Sequence, residues 1–127
     1  MNKVYLVDDQ PISNFITRKL LELEGFDGTI LEFTDPIEAL ESIKEDRNSL
    51  VFLDLNMPGM SGWEFLEELK SRKVHHNIII LTSSTSKVDQ DKVKDYPCVI
   101  EYIEKPMNKR KFTEIAGLIK AKVEDNA

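Results

Sequence analysis

The chain has 127 residues, of which 41% are hydrophobic and 31% charged, the size and balance of one globular domain with its own core. A net charge of −6 argues against a nucleic-acid-binding surface. The single cysteine, Cys98, excludes an intramolecular disulfide and a CxxC metal site, and it fits a reducing compartment.

No apolar stretch approaches the roughly 20 residues of a membrane span. The N-terminus runs straight into a strand-like segment ending in acids, which is not the pattern of a signal peptide. A cytoplasmic protein with no membrane or nucleic-acid partner is therefore expected.

Short apolar runs alternate with longer amphipathic segments. Residues 4–7 read as a strand. Residues 11–24 read as a helix whose apolar side is Ile12, Phe15, Ile16, Leu20 and Leu23, stopped by Gly25. Residues 29–33 form a second strand. Asp35-Pro36-Ile37-Glu38 opens a helix, with a capping residue, a proline at the first helical position and a glutamate able to close a capping box.

Residues 50–54 are the third strand. Ser61-Gly62-Trp63-Glu64 is a second S-x-x-E start, followed by Phe65, Leu66 and Leu69 on the apolar side. Residues 77–82 contain the continuous run IIIL, as in a parallel strand covered on both faces. A polar helix over 86–94, expected to pack loosely, leads to a fifth strand at 99–103. The last helix covers 108–123, with Phe112, Ile115, Ala116, Ile119 and Val123 in phase. Residues 122–127 should fray.

Five strands alternating with five helices imply a single α/β domain over residues 1–127. The expectation is a flavodoxin-like, doubly wound parallel sheet ordered 2-1-3-4-5. That order is the common one for five-stranded doubly wound sheets.

Ligands of such sheets bind beyond the carboxyl ends of the strands, at the switch point between the first and third. Here the first strand ends in Asp8-Asp9 and the third in Asp54. Adjacent strands lie roughly 4.8 Å apart, so the three carboxylates fall within reach of one ion. Clustered anions raise at least one pKa unless a cation compensates. An all-oxygen donor set suits Mg²⁺. The plainer alternatives are a charge pair at a helix N-terminus for Asp8-Asp9 and an acid entering a turn for Asp54. The fourth strand ends at Thr82, followed by Ser83 and Ser84, and the fifth is followed by Lys105-Pro106. A hydroxyl and an ammonium at the same sheet edge are what a phosphoryl group requires.

Four stretches, VDD at 7–9, DLNMPGMSG at 54–62, LTS at 81–83 and YIEKP at 102–106, resemble the receiver domain of two-component response regulators, single-domain chemotaxis receivers in particular. The resemblance covers essentially the whole chain. It implies that Asp54 accepts a phosphoryl group from a phosphohistidine of a histidine kinase or histidine phosphotransfer protein. It implies Mg²⁺ held by Asp9 directly, by Asp8 partly through water, by Asp54 and by the backbone carbonyl of Asn56. Thr82 would bind a phosphoryl oxygen through its hydroxyl, Ser83 through its backbone N–H, and Lys105 through its ammonium. Pro106 would follow a cis peptide bond. Tyr102 would be the switch aromatic that turns inward when Thr82 is drawn to the phosphate. Asn56 and Ser84 occupy positions that tune dephosphorylation, and Ser83 stands where many members have alanine or glycine.

The expected function is a stand-alone switch, a monomer or weak phosphorylation-linked dimer. It would engage an unidentified downstream protein through the face made by the fourth helix, fifth strand and fifth helix. The start at Met1 mildly favours a whole gene product over an excised receiver. One alternative is a phosphorylation-independent scaffold. Another is an aspartyl-phosphate phosphohydrolase, disfavoured because Asn56 stands where a second acid is needed. A flavodoxin-like cofactor module is disfavoured by the acidic DDQPIS loop. His75-His76 is expected to be a solvated pair before the fourth strand. Lys105 to Lys111 is a basic run at a helix start, and Lys109, Arg110 and Lys111 could serve an acidic partner.

Overall fold

A computed structural model describes residues 3–44, 46, 49–72 and 76–125, with side chains through residue 121. The strands are β1 (Lys3–Val7), β2 (Thr29–Phe33), β3 (Leu50–Leu53), β4 (Asn77–Thr82) and β5 (Val99–Glu104). The helices are α1 (Pro11–Leu23), α2 (Pro36–Ile43), α3 (Gly62–Ser71), α4 (Lys87–Lys92) and α5 (Lys109–Asp125), with a 3-10 turn at Val93–Asp95 after α4. All strands pair in parallel, in the order β2-β1-β3-β4-β5. The expected fold is therefore the observed one.

Alternation along the strands divides the core into two layers. Tyr5, Val7, Val51, Leu53, Ile78 and Ile80 face α2 and α3, where they meet Ala39, Leu40, Ile43, Phe65, Leu66 and Leu69. Val4, Leu6, Leu50, Phe52, Ile79 and Leu81 face α1 and α5, where they meet Leu20, Leu21, Phe112, Ile115 and Ile119. The three central strands, covered on both faces, are apolar almost without interruption for that reason.

The helix starts follow their capping chemistry. Asp35 accepts a hydrogen bond from the Ile37 N–H at 2.9 Å. Ser61 and Glu64 form a complete capping box at the start of α3. α4 is capped by Ser86 but buries none of its residues, in line with its polar sequence.

Two expectations change. On α1 the buried residues are Asn14, Thr17, Leu20 and Leu21, while Ile12, Phe15 and Leu23 are 64%, 50% and 77% exposed. The helix is rotated so that a polar pair faces the sheet near its carboxyl edge, where two carbonyls can take a donor, that of Phe33 in addition to the Asp8 N–H. Asn14 Nδ2 supplies it, 3.2 Å from the Asp8 carbonyl and 3.1 Å from that of Phe33. His76 is buried rather than solvated, with its Nδ1 2.7 Å from Ser49 Oγ. It is wedged where the entries to β3 and β4 are joined by the Asn77 N–H to Ser49 carbonyl bond. His75 lies outside the described residues.

Candidate phosphoryl-acceptor site

Strand register brings the acids together. Val7 is paired with both Phe33 and Leu53. The next residues continue the ladder: the Asp8 N–H donates to the Phe33 carbonyl at 3.1 Å and the Asp54 N–H to the Val7 carbonyl at 3.0 Å. Asp8 and Asp54 thus leave the sheet side by side at the switch point, both nearly fully buried. With half-buried Asp9 they place carboxylate oxygens within 4.8 Å of one another.

The loop after β3 is shaped from below. A Cβ on Gly62 would stand 2.6 Å from the Asp54 carbonyl oxygen and 2.8 Å from Leu55 Cα, so α3 can begin this close to the strand end only with glycine. The Gly62 N–H donates to the Leu55 carbonyl. Gly59, at φ 85°, makes the turn over the site in a region that favours glycine. The Asn56 N–H donates to Asp54 Oδ1 at 3.2 Å, fixing the carboxylate's orientation.

Lys105 enters from the far edge of the crevice. Its N–H donates to the Thr82 carbonyl at 2.8 Å, and the Lys105–Pro106 peptide bond is cis. Lys105 Nζ lies 2.8 Å from Asp8 Oδ2, 3.4 Å from Asp54 Oδ2 and 3.2 Å from Gln10 Oε1. Asp8 Oδ1 accepts from the Gln10 N–H, and Asp8 Oδ2 faces the Lys105 ammonium.

One ammonium against three carboxylates leaves the cluster net anionic. The Asp54 carboxyl is pushed above its ordinary value, first by burial and then by the Asp8 charge; the Asn56 N–H and Lys105 oppose the rise. A hard cation with oxygen preference fits this donor set. The surplus of three carboxylates over the one ammonium, with their oxygens within 4.8 Å of one another, is the observation that favours one.

Thr82 is fully buried at the end of β4, and its Oγ1 accepts from the Ser84 N–H at 3.3 Å. Ser83 is exposed in the same loop. Tyr102, half-buried on β5, donates its hydroxyl to the Ser84 carbonyl at 3.0 Å. Ser84 therefore connects the two residues expected to move together. Three contributors escaped sequence reasoning: Gln10, Asn14 and Asp89, the last bonded to both Ser84 and Trp63. The three are polar residues in polar or amphipathic segments, where nothing local sets them apart.

A doubly wound sheet with acids and a lysine at its switch point defines a class of phosphate-handling signalling domains. The sequence model of the response regulator receiver domain matches residues 4–116. The chain belongs to that family, whose members are signalling phosphoacceptors of two-component systems, typically bind Mg²⁺ at an acidic cluster and interact with histidine kinases or phosphotransfer proteins.

Among relatives, the polar-differentiation response regulator DivK of Brucella anthropi is 28% identical over 113 residues, covering 87% of this chain and 89% of DivK. BvgA of Bordetella pertussis, described as a putative positive transcription regulator of virulence factors, is 36% identical over 81 residues, which are 64% of this chain and 38% of BvgA. The match to BvgA thus spans well under half of that protein's length. Among solved structures, chemotaxis protein CheY4 of Vibrio cholerae aligns with a TM-score of 0.78 at 26% identity, over 94% of this chain and 98% of its own. TrrA of Thermotoga maritima, solved in complex with Mg²⁺-BeF, aligns with a TM-score of 0.76 at 28% identity, over 94% of this chain and 99% of its own. Among the described residues no helix is long and apolar enough to cross a membrane.

Proposed function

We propose that the chain is a phosphorylation-dependent switch that accepts a phosphoryl group on Asp54 from a phosphohistidine and thereby changes its affinity for a partner protein. The observation that carries the reading is the convergence of Lys105 on Asp8 and Asp54, at 2.8 and 3.4 Å, in a crevice that also holds Asp9.

Mg²⁺ bound by Asp9, by Asp8 partly through water, by Asp54 and by the Asn56 carbonyl would neutralise carboxylate charge and orient the incoming phosphoryl group. An Asp54 carboxylate oxygen attacks phosphorus, forming the acyl phosphate as the P–N bond of the donor histidine breaks. The Asn56 N–H holds the other Asp54 oxygen, leaving the attacking one aligned. Lys105 moves its charge from the carboxylates to a phosphoryl oxygen. The Thr82 hydroxyl and the Ser83 N–H donate to the others.

Phosphorylation adds roughly −1.5 to −2 charges at one spot. Drawing Thr82 toward that charge vacates space that Tyr102 fills, which alters the face formed by α4, β5 and α5. The downstream protein binds there, with Lys109, Arg110 and Lys111 available to acidic groups. The protein works in the cytoplasm as a monomer or a weak phosphorylation-linked dimer, with neither nucleic acid nor membrane as partner.

The test is intact mass after incubation with acetyl phosphate and Mg²⁺. One phosphoryl group on the native chain, absent in Asp54→Asn and absent in EDTA, is expected. No adduct under any condition would favour a phosphorylation-independent scaffold.

A further inference from the structure

α4 buries none of its residues, so its position rests on polar contacts. One carboxylate supplies two of them. Asp89 Oδ1 accepts from Trp63 Nε1 on α3 at 3.1 Å, and Asp89 Oδ2 accepts from Ser84 Oγ at 2.6 Å. The same indole stacks on Tyr96, with ring centroids 5.5 Å apart, and carries Lys92 Nζ 5.0 Å above its face. α3, α4 and the turn after α4 therefore meet at Trp63.

Ser84 is saturated. Its N–H is on Thr82 Oγ1, its carbonyl accepts from Tyr102, its hydroxyl donates to Asp89, and the same oxygen accepts from the Ser86 N–H. No partner of Ser84 can move without disturbing the others. Among the described residues, the hydrogen-bond partner of the Thr82 hydroxyl is this loop and not Asp54.

We infer that Asp89 is a positioning residue: by bridging Trp63 and Ser84 it latches the loop after β4 in the arrangement in which Thr82 Oγ1 accepts from the Ser84 N–H, and so resists the shift that a phosphoryl group on Asp54 would draw from Thr82. This rests on the reading of Asp54 as phosphoacceptor. In the loop Thr82 Oγ1 accepts from the Ser84 N–H, whereas a phosphoryl oxygen offers its proton a charged acceptor. As Thr82 turns, Ser84 is pulled with it, the Ser84–Asp89 bond is lost and the indole N–H is released. The latch thus opposes the phosphorylated conformation and couples it to the placement of α4.

The experiment titrates the native chain, Asp89→Ala, Trp63→Phe and Asp54→Asn with beryllofluoride in the presence of Mg²⁺. Binding is followed by fluorine NMR and the latch by the emission of Trp63, the single tryptophan. Thermal unfolding checks that each variant folds. On binding, native emission is expected to move to longer wavelength. Asp89→Ala should begin at the longer wavelength, shift no further, and bind beryllofluoride about fivefold more tightly, the weight of one hydrogen bond. Trp63→Phe keeps a ring for packing but no N–H, and should bind more tightly by a similar factor. A purely structural role for Asp89 would weaken binding instead. Binding with unchanged native emission, or affinity in both variants equal to or weaker than native, overturns the latch. No binding by the native chain overturns the phosphoacceptor reading and the latch with it.

Discussion

Gly62 lies so close beneath Asp54 that a single added carbon would stand 2.6 Å from the Asp54 carbonyl oxygen, with Leu55 Cα next at 2.8 Å. Both neighbours are backbone, and Leu55 is itself buried, so neither can give way cheaply. Gly62→Ala should therefore move α3 or the strand end rather than a side chain. The expected cost is about 2 kcal/mol of stability, read by urea denaturation, with slower phosphoryl incorporation from acetyl phosphate in the folded variant. Native-like stability would mean that α3 slides freely against the sheet.

The raised pKa of Asp54 links stability to both pH and metal. A carboxyl group whose folded-state pKa is raised contributes stability below its unfolded pKa and loses it as pH rises through the folded value. The metal-free protein thus bears this cost at neutral pH, and a cation relieves it. With Mg²⁺ at about a hundred times its dissociation constant, stability at about pH 7 should rise by about 2.7 kcal/mol. The rise should be largely lost at about pH 4, where protons compete with the metal for Asp54, whose pKa is raised by burial and by the Asp8 charge. Differential scanning calorimetry checks both. Asp9→Asn should abolish most of the gain at neutral pH, and an undiminished gain in that variant would place the metal elsewhere.

The sheet was readable in the sequence because its central strands are buried on both faces, and such strands announce themselves as apolar runs such as Ile78 to Leu81. The acids, Thr82 and Lys105 were readable because strand ends in a doubly wound sheet converge. α1 was misread for the opposite reason. Hydrophobic periodicity finds apolar stripes, but the inward face of α1 is set by the hydrogen-bond demand of the Asp8 and Phe33 carbonyls, which Asn14 meets. Of the expected apolar side Leu20 is buried and Ile16 packs partly buried on the same core beside Leu21, while Ile12, Phe15 and Leu23 are left exposed. His76 was misjudged likewise: burial of an imidazole depends on finding Ser49, 27 residues away. Gln10 and Asp89 act through contacts set by tertiary structure, which no local pattern encodes.

Asn14 makes a direct test of that account. Removing its amide in Asn14→Ala takes a donor from the buried Asp8 carbonyl and from the partly buried Phe33 carbonyl, although Phe33 keeps the Asp8 N–H. A loss of about 2 kcal/mol is expected by urea denaturation. Because Asp8 is one of the two carbonyls, the variant should also bind Mg²⁺ more weakly in a titration of the folded protein. An unchanged Mg²⁺ affinity would confine Asn14 to holding α1 in place.

The three tyrosines should all ionise late. Tyr5 is pushed up to about 12 by burial and then by its hydrogen bond to Asp46. Tyr96 is pushed up to about 12 by burial and then by its hydrogen bond to Glu67 at 2.6 Å. Tyr102 is raised by burial, with its bond to the Ser84 carbonyl opposing. For a phenol, a raised folded-state pKa means that the neutral form is favoured in the native protein. The stability this confers is intact below the ordinary value of about 10 and is lost as pH rises from there toward about 12. Alkaline titration followed by tyrosinate absorbance should therefore show little ionisation at about pH 10 while the protein is folded. The phenols should then titrate together with cooperative unfolding, tracked in parallel by circular dichroism. In Tyr96→Phe, which keeps the ring against Trp63 but removes the hydroxyl, the unfolding transition should move to higher pH. A tyrosine that ionised near its ordinary value in the folded protein would show that its hydroxyl is solvated.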